Sequence, residues 1–107
     1  MDTSGLTNEK VKNAFNALQE GDQKRWFSFF TDDAQLFDDG NPRDFQSFST
    51  EAIGNERFTS IDKVENEGKH IFGEFHSDQW GDFKTYFKFH LNEDGKINRL
   101  EIGQANY

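Results

Sequence analysis

Asp38 is the residue best placed to do chemistry. It follows Phe37 and stands two residues before Gly40. Rings around a carboxylate strip its solvation and strengthen it as a proton acceptor. Such a base serves isomerisation, aldol-type cyclisation or dehydration. Asp38 and Asp39 also precede Gly40-Asn41-Pro42, and aspartate forms turns routinely. The sequence supports both a general base and a turn residue at Asp38. Asp32 and Asp33 have the plainer reading of a helix end.

The other reactive residues converge less. His70, His76 and His90 fall in no H-E-x-x-H spacing. His90 alternates with Lys88 along one strand face, and His76 abuts a turn. Surface or interface roles are expected for them; a dehydratase-like or metal-ligand role is the alternative. No G-x-S-x-G and no phosphate-binding glycine loop occurs. There is no cysteine, so disulfides and thiolate metal sites are excluded. No metal and no cofactor are expected.

Aromatic residues carry the rest. Only 33% of the 107 residues are hydrophobic, but thirteen are Phe. Each buried Phe contributes roughly 1.5–3 kcal/mol, so few large rings replace many aliphatics. Trp26, Phe30, Phe37, Phe58, Phe75, Phe83 and Phe87, with Thr85, are expected to form the core and to wall a pocket. Trp80 lies in the turn Asp78-Gln79-Trp80-Gly81, where it is expected to cover a pocket mouth or an interface.

The elements that position these residues follow from spacing. Thr7 is read as an N-cap, with Leu6 and Val11 as a hydrophobic staple. Val11, Ala14, Phe15 and Leu18 repeat at i, i+3, i+4, i+7. Gly21 closes that helix, and Asp22 caps a second one carrying Trp26, Phe27, Phe29 and Phe30. Thr31, Asp32 and Asp33 end it. Ala34 to Asp38 reads as a first strand, and Gly40-Asn41-Pro42 as a turn. Residues 43–48 alternate weakly, as an edge strand or loop. Ser49 is read as the N-cap of a short third helix closed by Gly54 or Asn55.

Beyond Arg57 the period becomes two. Phe58 to Asn66 needs a bulge to reconcile Ile61 with Val64. Asn66-Glu67-Gly68 is a turn, and Lys69 to Ser77 a strand. Phe83, Thr85, Phe87, Phe89 and Leu91 share one face of the next strand, with Lys84, Tyr86, Lys88 and His90 on the other. Asn92 to Gly95 turns the chain into a last strand with Leu100 and Ile102 inward. Helices first and hairpin-linked strands after give an α+β class, a single domain over residues 1–107.

Charge bounds the partners. The net charge of −8 repels phosphate backbones, so no nucleic acid is expected. No run approaches the roughly 20 apolar residues of a membrane span. Residues 1–5 read as a loose lead-in without signal-peptide character, and a cytoplasmic location is expected.

The order of elements resembles the nuclear transport factor 2-like superfamily, in particular its SnoaL-like branch. The matching pieces are Leu18-Gln19-Glu20-Gly21-Asp22, Phe30-Thr31-Asp32-Asp33-Ala34, Phe37-Asp38 and Asp94-Gly95-Lys96-Ile97. They span about residues 7–104. The resemblance implies a cone-shaped roll, with three N-terminal helices packed on a strongly curved antiparallel sheet and a pocket at the open end. It also implies dimers through the outer sheet face.

In ketosteroid isomerases of this superfamily a general-base aspartate occupies a position similar to Asp38. Their oxyanion donors are a tyrosine on the first helix and a protonated aspartate on a late strand. The matching places hold Ala14 or Phe15, and Phe87, none of which donates.

A small apolar or amphipathic molecule is therefore the expected partner, with or without proton transfer through Asp38. The alternative is a non-catalytic binding or dimerisation module. A homodimer through Phe72, Tyr86, Lys88, His90 and Arg99 is expected, since a monomer leaves the outer rings wet.

Overall fold

The computed structural model describes residues 3–107. Residues 1 and 2 of the expected lead-in lie outside them. Within the rest, the Leu6 N–H reaches the Thr3 carbonyl at 3.0 Å, and Leu6 is buried.

Helix α1 runs Glu9–Glu20. Its N-cap is Asn8, not Thr7: the Asn8 side chain accepts from the Val11 N–H at 3.1 Å. The chain is still turning at Thr7, whose N–H bonds the Gly5 carbonyl. The buried face is Val11, Ala14, Phe15, Ala17 and Leu18, and Gly21 ends the helix at φ 72. Helix α2 is Gln23–Ser28, capped by Asp22 as expected.

Phe30 already belongs to strand β1, Phe30–Asp38. Thr31, Asp32 and Asp33 are thus strand residues, not a helix end. They arch off the neighbouring strand, because the register jumps between Phe30 and Gln35. Asp32 and Asp33 point to water in that arch. A two-residue turn, Asp39 at φ 50 and Gly40 at φ 86, leads into β2, Asn41–Arg43. Two successive left-handed residues are the signature of a tight hairpin.

Helix α3 is Phe45–Ala52, capped by Asp44, which accepts from the Ser47 N–H at 2.8 Å. This corrects both the alternation read over 43–48 and the cap read at Ser49. Phe45, Phe48, Ser49 and Ala52 fall at helical spacing and are all buried. Ser49 accepts the Trp26 indole N–H at 2.9 Å inside the core.

Strands β3 (Glu56–Phe58), β4 (Lys63–Glu65), β5 (His70–Ser77), β6 (Gly81–Leu91) and β7 (Ile97–Gln104) complete the chain. β3 and β4 pair the same strand, β5, with the register shifted between them. The expected bulge lies over Gly73, where an added Cβ would stand 2.0 Å from the Ser60 carbonyl oxygen. The sheet order is β2-β1-β7-β6-β5-β3, with β4 also on β5. All neighbours are antiparallel except β1 and β7, which are parallel. The sheet is therefore mixed: no hairpin joins β1 to β7, so nothing local dictates their direction. The class is α+β.

The core is a chain of rings. Trp26 touches Phe30 at 4.7 Å and Phe30 touches Phe45 at 4.5 Å between centroids. Phe58 bridges Phe15, Phe75 and Phe87 at 5.1–5.4 Å. Gln19 clips α1 to the sheet, donating to the Phe58 carbonyl at 2.8 Å and accepting its N–H at 2.7 Å.

Candidate binding cavity

At one end of the sheet the helices leave the inner face uncovered. A cavity of about 450 Å³ opens there. The ends of β1 and β2 supply Asp38, Asp39 and Arg43, and α3 supplies Phe48. Glu56 comes from β3, Phe75 from β5, and Trp80 from the β5–β6 turn. Asp82, Phe83, Thr85 and Phe87 line it from β6, and Ile102, Gly103 and Gln104 from β7. A second cavity of about 390 Å³ shares Arg43, Phe48, Glu56 and Trp80.

The alternation of β6 makes one wall. Phe83, Thr85 and Phe87 point inward, and Thr85 donates to the Gly103 carbonyl at 2.6 Å. That bond satisfies its hydroxyl and leaves an apolar floor of Phe75 and Phe87. Trp80 stands at the rim with 71% of its surface exposed.

Asp38 lies on the cavity wall, but not among rings. Arg43 donates to its carboxylate at 2.8 Å; the two side chains are 37% and 41% exposed. The desolvated setting expected for Asp38 is absent, because Phe37 turns to the opposite face of the sheet. There Arg99 lies over the Phe37 ring at 4.4 Å. Arg43 also approaches Glu51 at 3.9 Å and lies over Phe48 at 5.1 Å.

The remaining expected wall residues are elsewhere. Trp26, Phe30 and Phe58 are buried in the closed core; their rings face other rings rather than the cavity. Arg43, Phe48, Glu56, Asp82, Ile102 and Gln104 line it without having been foreseen. For Arg43 and Phe48 the hairpin at Asp39-Gly40 and the 45/48/49/52 spacing were the available signals.

At the rim His76 donates to Asp82 at 2.7 Å and meets Asp78 at 3.1 Å. The Asp82 bond, helped by Asp78, holds the imidazole's pKa above its usual 6.5. Among the described residues no three His, Asp or Glu side chains converge as a metal would need.

The outer sheet face carries Phe72, Tyr86, Lys88, His90 and Arg99. Phe72 is not left bare: Tyr107 packs edge-on at 6.3 Å and Lys63 lies over the ring. Tyr107 is tied down by donating to Asp62 at 2.6 Å. Burial and that bond push the Tyr107 pKa up to about 12. His90 bonds Glu101, and burial together with Lys88 lowers the pKa of His70.

No protein-family model and no curated protein matches the chain. Solved structures do. A nuclear transport factor 2-like protein of unknown function from Cytophaga hutchinsonii superposes with a TM-score of 0.74. The pair is 14% identical over 98% of this chain and 95% of that one. This chain has the nuclear transport factor 2-like fold. The Orange Carotenoid Protein of Anabaena, solved binding canthaxanthin, matches with a TM-score of 0.71 at 21% identity. That match covers 92% of this chain and 36% of the longer protein. A Pseudomonas putida protein ascribed to the polyketide cyclases matches with a TM-score of 0.65, at 18% identity over 94% and 91% of the two chains. The described residues include no helix long and apolar enough to cross a membrane.

Proposed function

We propose that the chain binds a small amphipathic molecule in the cavity between α3 and the sheet. The observation that carries this is the cavity of about 450 Å³ with Phe48, Phe75, Phe83, Phe87 and Trp80 around it and charged groups at one side. Aromatic walls with a few placed polar groups are the usual build of a small-molecule site. The carotenoid-binding neighbour and the polyketide-cyclase neighbour of the same fold support the reading. A cytoplasmic location goes with this reading. A neutral solvatochromic probe, N-phenyl-naphthylamine, tests it. Emission should rise on adding protein and saturate at one probe per chain. No saturable emission would contradict the reading.

A second reading adds proton transfer through Asp38. The Asp38–Arg43 pair in the cavity wall favours it. When Asp38 takes a proton it becomes neutral, and Arg43 loses its counter-charge. The guanidinium is then free to face an enolate oxygen, the oxyanion role that Ala14, Phe15 and Phe87 leave empty.

We also propose a homodimer through the outer face, where Tyr86, Lys88, His90 and Arg99 stand with Phe37. Rings and Arg at the centre of a patch support it.

A further inference from the structure

We infer that the cavity takes an organic cation: an ammonium group carried on an apolar body. This rests on the reading that the cavity binds a small amphipathic molecule. Four acidic residues line it, Asp38, Asp39, Glu56 and Asp82, with one guanidinium, that of Arg43; the Asp39 carboxylate, however, lies over Gly103 beside the Tyr86 hydroxyl, on the outer face. That guanidinium is already engaged, at 2.8 Å from Asp38 and 3.9 Å from Glu51. Asp82 has His76. Glu56 has no cationic partner among the described residues. Glu56 accepts the Ser77 hydroxyl at 2.7 Å. That leaves the Glu56 carboxylate as the one an ammonium group would meet.

The rings complete the selection. Trp80 lines both cavities together with Glu56 and Phe48. An indole face attracts a cation, and most strongly where a carboxylate stands near. An anionic ligand would have to pull Arg43 from Asp38. It would also approach against the chain's net charge of −8. A neutral ligand gains only the floor of Phe75, Phe83 and Phe87.

Three ligands with one body test this: phenylbutyltrimethylammonium, phenylbutanol and phenylbutyrate, each titrated into the full chain by calorimetry. The ammonium should bind about tenfold more tightly than the alcohol, with an advantage that shrinks as salt rises. Glu56→Gln should remove most of that advantage while leaving the alcohol's affinity within about twofold, which also reports that the variant is folded. Trp80→Leu, at an exposed position, should also remove most of the ammonium's advantage over the alcohol, even where both ligands bind more weakly. Equal binding of ammonium and alcohol, or tightest binding of the butyrate, overturns the cation assignment and leaves cavity binding standing. Binding by none of the three overturns the cavity reading beneath it. An advantage that survives both replacements overturns the roles given to Glu56 and Trp80.

Discussion

Asp38 sits on the cavity wall with its charge met by Arg43 at 2.8 Å, and any reaction there must part that pair. If Asp38 is the base, Asp38→Asn should lower kcat/KM for deprotonation of a bound carbonyl compound by at least about 100-fold. Ligand affinity should stay within about twofold. Turnover unchanged by the substitution removes Asp38 from the chemistry. The substitution should leave stability nearly unchanged, because a pair this exposed contributes little. His76 gives a second residue-scale expectation. Its pKa is raised by bonds to Asp82 and then Asp78. A raised folded-state pKa makes the contact fully stabilising below the unfolded value of 6.5. That stabilisation is lost as pH rises through the folded value. In an NMR titration the His76 ring should therefore have its midpoint above 6.5, and Asp82→Asn should bring it down. A midpoint at or below 6.5 would contradict the bridge. The position of Asp38 on the inner face was legible from its parity with Leu36. Arg43 was not, because the turn-forming residues Gly40-Asn41-Pro42 extend past the turn itself, which is at Asp39-Gly40. A turn at Asp39-Gly40 pairs Asp38 with Asn41 and Leu36 with Arg43. That register puts Arg43 diagonally beside Asp38.

The elements that frame the site are held by polar bonds in apolar surroundings. Trp26 on α2 donates to Ser49 on α3 at 2.9 Å, and both are fully buried. Ser49→Ala leaves the indole N–H without a partner. It should cost about 1–3 kcal/mol, read as a lower midpoint in chemical denaturation. An unchanged midpoint would show that the bond does not anchor α3. α3 matters to the cavity because it carries Phe48. Helix α1 and β6 were legible because their apolar residues kept one period throughout, and the bulge before β4 because Ile61 and Val64 break it. Helix α3 was obscured: its Phe45 and Phe48 stand among two Ser and a Thr, residue types that suit caps and turns as well as a buried helix face. The arch at Thr31–Ala34 had no local signal. It exists because β1 must pair β7 both at Ile97 and at Arg99, with more residues on its own side.

For the whole molecule, one end of the sheet is filled by Trp26, Phe30, Phe45 and Phe89, and the other is left open. Composition foretold an aromatic core, but not which rings would close it and which would wall the opening. That division depends on where α1 and α2 stop along the sheet, a long-range fact that no window of sequence contains. The outer face is the second large-scale surface. Tyr107 covers Phe72, so a dimer would rest on Phe37, Tyr86, His90 and Arg99. Sedimentation at micromolar concentration should give a mass roughly twice 12.5 kDa; a single species of 12.5 kDa would rule the dimer out. The most direct test of cavity binding is to titrate the naphthylamine probe into isotopically labelled protein and map the shifted resonances by NMR. Shifts should concentrate at the Trp80 indole and at Phe75, Phe83, Thr85 and Gly103. Shifts confined to the outer face around Tyr86 and His90, or no saturable shifts at all, would contradict it.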